Sequence, residues 1–153
     1  MKSKLARRVF AGAWFAFLAV IPVAFYFLVL WRKTERQDAI FVWTFIGAPI
    51  LLAGICGSIF GSSILDPDKV KTPKQAKLRG LLVAVLAYVL FFPVSGEIIA
   101  QTSKDPVKAI DGWPAIFIMG MVLVGWLIAL TGVVGGALLY NYRVKSARDK
   151  QQK

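Results

Sequence analysis

LLVAVLAYVLFFPVSGEIIA, residues 81–100, decides the fold. Only one of its side chains, Glu97, is charged at neutral pH, and that one lies close to the end. At about 1.5 Å per residue a helix of this length covers the roughly 30 Å of a bilayer's hydrocarbon core. The apolar residues run on without strict alternation. A chain in lipid has to satisfy its backbone polar groups within the segment, so the stretch predicts a membrane-spanning helix.

Three other runs have the same character, which makes the expected spans Val9–Trp31, Ile40–Leu65, Gly80–Ala100 and Trp113–Tyr142. The predicted fold class is all-α: one integral membrane domain over residues 1–153, a four-span transmembrane helical bundle with a basic tail at 143–153. Composition agrees. Hydrophobic residues make up 58% of the 153, and mean hydropathy is +0.65, more apolar than an ordinary soluble domain of this size. MKSKLARR followed by an apolar run of about 23 residues resembles the start of a signal peptide, but the run continues past any small-residue cleavage site, so an uncleaved anchor is expected.

The net charge of +11 is confined to short segments between the apolar runs. Four Lys and Arg precede the first run, three follow it, five lie between Lys69 and Arg79, two between Lys104 and Asp111, and five after Tyr142. Alternate sides therefore hold 14 and 5. An excess of cations marks the cytoplasmic side, which predicts both termini cytoplasmic in a bacterial inner (cytoplasmic) membrane. Trp31, Trp43 and Trp113 fall at the opposite ends of their spans, where an amphipathic ring favours the headgroup level.

Local signals refine the ends. Thr34 with Gln37 and Thr72 with Gln75 match the T-x-x-Q capping box, and Pro73 suits a first helical turn. Helices should therefore begin near Glu35 and Pro73. Asp66-Pro67-Asp68 predicts a turn, and Asp105-Pro106 a short interfacial helix ending near Gly112. Shifts of 70 and 71 residues bring a few positions into identity, such as Arg8 on Arg79 and Trp43 on Trp113, the pattern a tandem two-span repeat would leave.

Little in the chain carries chemistry. There is no histidine, the commonest metal ligand and general base, and the single cysteine, Cys56, sits among small apolar neighbours as a small hydrophobe does. No catalytic, cofactor-binding or metal-ligating residue is expected, and no cofactor. Membrane hydrolases and transferases present paired carboxylates or a nucleophile with its base, whereas Glu97 stands alone, so the protein is expected not to be an enzyme. The basic runs lack interleaved aromatic side chains for stacking, so no nucleic-acid partner is expected. The lipid bilayer is the expected partner, with anionic headgroups at the cytoplasmic basic segments.

Small residues four apart occur at Gly57 and Gly61, at Gly132 and Gly136, and at Gly125 with Ala129. Such pairs share one helix face and let a second backbone come close, either within the subunit or against another copy or a membrane-complex partner. Pro22, Pro49 and Pro93 lie inside spans, where each removes one backbone hydrogen bond. Measured from the helix ends, Glu97, Tyr26 and Thr44 lie at similar heights near the outer boundary, which suggests a shared polar pocket there. The function expected from these features is a structural, accessory or assembly role exerted through helix packing. The alternative is a small transporter or channel-like oligomer that uses Glu97.

Overall fold

The computed structural model describes the backbone of residues 3–30, 39–102 and 106–151. Four α-helices account for nearly all of it: α1, Lys4–Leu30; α2, Ala39–Ile59; α3, Pro73–Thr102; and α4, Pro106–Gln151. A short 3₁₀ helix, Gly61–Leu65, follows α2, and there is no strand among the described residues. Three helices are long and apolar enough to cross a membrane, over Lys4–Phe25, Pro73–Glu97 and Val124–Arg148; in α2 the shorter apolar stretch Ile46–Ile59 is comparable in character.

Each helix packs on its chain neighbours, α1 also packs on α4, and neither diagonal pair touches among the described residues. The helices therefore stand as a ring in chain order, with successive helices antiparallel. The most extensive contacts lie within the hairpins α1–α2 and α3–α4. A helix pair in lipid gains nothing from excluding water, so close backbone approach has to supply the attraction, and small residues permit it.

Three boundaries differ from expectation. The expected second span, Ile40–Leu65, does not stay α-helical throughout: α2 stops at Ile59, and Gly61–Leu65 tightens into the 3₁₀ helix. That tighter winding brings Ile64 and Leu65 into the core, where both are buried. The expected break at Gly112 is absent, since α4 runs from Pro106 through Gly112 and Pro114 as one helix. Pro106 suits the first turn, whereas Pro114, in the third, leaves the carbonyl of Ile110 without its helical donor and yet does not end the helix. The basic segment after Tyr142 continues α4 to Gln151. At 46 residues, α4 is about 69 Å long, roughly twice a hydrocarbon core. The helix start expected near Glu35 lies outside the described residues.

The start of α3 follows its cap. The amide of Gln75 donates to Thr72 Oγ1 (3.3 Å), and Gln75 Oε1 accepts from the amide of Lys71 (3.0 Å), one residue ahead of the cap itself. Two donors at the helix end are thereby satisfied, and Pro73 begins the helix without one to lose. Polar side chains inside the helices bond to their own turns. Ser58 Oγ donates to the carbonyl of Gly54 (2.7 Å), Thr131 Oγ1 to that of Ile128 (2.9 Å), and buried Ser95 to those of Phe91 and Phe92. Hydroxyls satisfied this way do not require water in an apolar setting.

Candidate functional site: a latched loop at the basic end

The start of α1, the 3₁₀ helix, the start of α3 and the stretch of α4 after Leu139 meet at one end of the bundle, the end rich in lysine and arginine. Between the 3₁₀ helix and α3 the chain makes the expected turn at Asp66-Pro67-Asp68. Asp66 Oδ1 accepts from the amide of Asp68 (3.3 Å), while Oδ2 pairs with Arg7 Nη1 of α1 (3.3 Å). One carboxylate thus shapes the turn and ties it to the first helix.

Main-chain carbonyls of the loop are held from α3 and α4. Arg143 Nη1 donates to the carbonyls of Ile64 (2.9 Å) and Asp66 (3.1 Å), and its guanidinium lies 4.7 Å from the ring centre of Tyr140. Tyr140 Oη donates to the carbonyl of Lys71 (3.1 Å), and Arg79 Nη2 to that of Lys69 (3.2 Å). A 3₁₀ helix leaves its last carbonyls without helical donors, and a cation there suits both the lone pairs and the helix dipole. Beneath the latch Ile64 and Val70 are fully buried and Leu65 nearly so. The 3₁₀ helix packs against all four α-helices, so Ile64 and Leu65 lie between them at the basic end of the ring.

Aromatic side chains join α1 to α4 just below. Phe10 stacks with Tyr142 (centroids 5.2 Å apart) and with Trp14 (6.5 Å). Trp14 Nε1 donates to the carbonyl of Gly135 (3.2 Å), so the indole satisfies its polar atom on a neighbouring backbone.

The glycines divide between the two hairpins. A Cβ placed on Gly57 would come within 2.8 Å of Phe15 Cβ and 2.9 Å of the carbonyl of Ala11, and one on Gly61 within 2.6 Å of the Phe15 ring, so both face α1. A Cβ on Gly132 would lie 2.7 Å from both Ala84 Cβ and the carbonyl of Gly80, and one on Gly136 would collide with the carbonyl of Ala76, so both face α3. Gly125 differs from these four: the nearest described atom to its Cβ, at 3.3 Å, belongs to Met121 of its own helix.

Several contact residues escaped the sequence reading. Gly12 faces Ser58 and Gly54, Gly80 faces Gly132 and Gly136, and Gly135 gives room to Leu18 of α1. The spacing Ala76-x-x-x-Gly80-x-x-x-Ala84 carries the signal in α3, and Gly54-x-x-x-Ser58 carries it in α2.

Of the three residues expected to share an outer polar layer, the side chains of Tyr26 and Thr44 lie outside the described residues. Glu97 is exposed on α3, two positions after buried Ser95. Cys56 is a free, buried thiol within the hydrophobic core. Among the described residues no three His, Cys, Asp or Glu side chains gather in one place. The chain matches no protein family, no curated protein and no solved structure.

Proposed function

We propose that the protein is a structural or assembly subunit of a bacterial inner membrane: four spans, both termini in the cytoplasm, acting through helix packing. The observation that carries this reading is the closed basic end. The buried side chains of Ile64, Leu65 and Val70 fill the ring, and four side chains from α1, α3 and α4 secure the loop that bears them. A conduction path along the bundle axis would have to displace this closure. Backbone contacts at glycines within both hairpins further favour a fixed scaffold over a moving one.

The placement of charge supports the cytoplasmic assignment, since the segments holding 14 of the 19 Lys and Arg flank this same end. Purification in mild detergent from the cells that make the protein is the test. A membrane protein recovered with it in fixed stoichiometry, together with no solute or ion flux in liposomes holding the purified chain alone, is the expected result. Flux above that of empty liposomes would overturn the scaffold reading in favour of the transporter alternative, in which Glu97 takes part.

A further inference from the structure

Exposed apolar side chains on α3 form a stripe with cations at its head: Leu78, Leu82, Val85 and Val89 keep to one face, below exposed Lys74 and Lys77. On α1 the exposed Leu5, Val9, Ala13, Phe17, Ile21 and Phe25 recur every fourth residue, so each step turns about 40° further round the helix. The positions beneath exposed Lys4 and Arg8, which are Ala11, Gly12 and Phe15, are buried, so no stripe runs from those cations.

The cations at the basic end have separate duties. Arg7, Arg79 and Arg143 are spent on the latch, through Asp66 and three loop carbonyls. Lys4, Arg8, Lys74 and Lys77 form no ion pair with any described residue. Leu5 and Leu78, 73% and 66% exposed, sit beside these cations where a water-facing surface would favour polar residues.

We propose that the cation-headed stripe of α3 binds an anionic glycerophospholipid of the leaflet at the basic end, with its phosphate at Lys74 and Lys77. The acyl chains lie along the leucine and valine stripe below. Charge complementarity recognises the headgroup, and the apolar surface runs on from the cations without interruption, as an amphiphile requires. An acidic protein docking from the water would complement the charge but would leave the lower stripe unexplained. The inference rests on the membrane reading of the long helices and is independent of the scaffold role.

Electron spin resonance of the full chain in phosphatidylcholine bilayers tests it, using chain-labelled phosphatidylglycerol and chain-labelled phosphatidylcholine as probes. The anionic probe should enter the motion-restricted component at least about threefold more strongly, and 1 M salt should remove most of that preference. The double variant Lys74→Gln with Lys77→Gln should remove most of the preference, whereas Lys145→Gln with Arg148→Gln, further along α4, should leave most of it. Equal association of the two probes with the unaltered protein overturns the proposal without any variant having to fold. Preference that survives the double variant, or that falls equally in the α4 control, also overturns it. Retention of a soluble acidic protein without lipid preference overturns it in favour of protein docking. A spectrum with no motion-restricted component for either probe would overturn the membrane reading as well, which separates the two failures.

Discussion

Gly80 of α3 and Gly136 of α4 face each other with no space for a side chain between them. A Cβ on Gly80 would lie 2.9 Å from both Cα and N of Gly136 and would overlap the carbonyl oxygen of Gly132. The obstacles are backbone atoms, which cannot rotate out of the way, so the helices would have to part. Gly80→Ala should therefore cost about 1–3 kcal/mol, the usual range for overpacking a tight contact. Thermal unfolding in detergent measures this. Gly125→Ala is the control, because among the described residues its Cβ would meet only the flexible Met121 side chain. Equal melting temperatures for the two variants would refute the close-contact assignment.

Arg143 holds two loop carbonyls and also lies over Tyr140. Arg143→Met keeps a long stem but withdraws the donors, leaving part-buried carbonyls without them at a cost of about 1–3 kcal/mol. The loop should loosen, and trypsin should cut sooner after Lys69 and Lys71, which are exposed. Arg143→Lys should fall between, since an ammonium keeps the charge but loses the planar fork. Unchanged cleavage in the methionine variant would show that the latch does not restrain the loop.

The three long apolar helices were legible because a bilayer would impose length and polarity on any helix that crosses it. LLVAVLAYVL in α3 admits few other readings. The cap at Thr72 and the turn at Asp66 were legible for a different reason, since both depend on neighbours within a few residues. What hydropathy does not encode is which helix meets which. Gly57 and Gly132 share the same local pattern, yet one faces Phe15 and the other Ala84. The latch was hidden for the same reason: Arg143 lies 79 residues from Ile64, and as one cation among many at this end it carries no local mark of its partner. The change from α to 3₁₀ winding after Ile59 was not legible, because Ile64 and Leu65 are as apolar as any span residue, and hydropathy cannot distinguish a side chain turned into a core from one facing lipid.

Thr72 caps α3 through its hydroxyl, and Gln75 accepts from the amide of Lys71, one residue ahead of the cap. Thr72→Ala should cost about 1 kcal/mol, the typical loss of an N-cap. Thr72→Ser keeps the oxygen and should cost much less. The comparison is made by thermal unfolding, and a serine variant as unstable as the alanine variant would assign the effect to the lost methyl group.

Glu97 is exposed on α3. Glu97→Gln retains size and most hydrogen-bonding capacity, so stability should change less than in Arg143→Met. If the scaffold reading holds, recovery of a partner should also be unaffected. Loss of a proton or cation flux specifically in this variant would instead support the transporter alternative.

The last prediction concerns which segments share a compartment. Arg7 pairs with Asp66, Arg143 bonds to the same loop, and Tyr140 reaches Lys71, so the start of α1, the loop and the end of α4 lie together. Segments joined by contacts of 3.3 Å or less cannot lie on opposite sides of a bilayer. Reporter fusions within residues 70–74 and after Lys153 should therefore agree with each other whichever way the protein inserts. The excess of Lys and Arg at this end then fixes the side, and both fusions should report the cytoplasm. Fusions near Arg36 and Ser103 should report the opposite side if all four helices cross. The two outcomes fail differently. Agreement on the outer side would reverse the orientation and leave the bundle intact. Disagreement between the loop and the C-terminus would mean that α3 and α4 together cross an odd number of times, which the contacts at the basic end forbid.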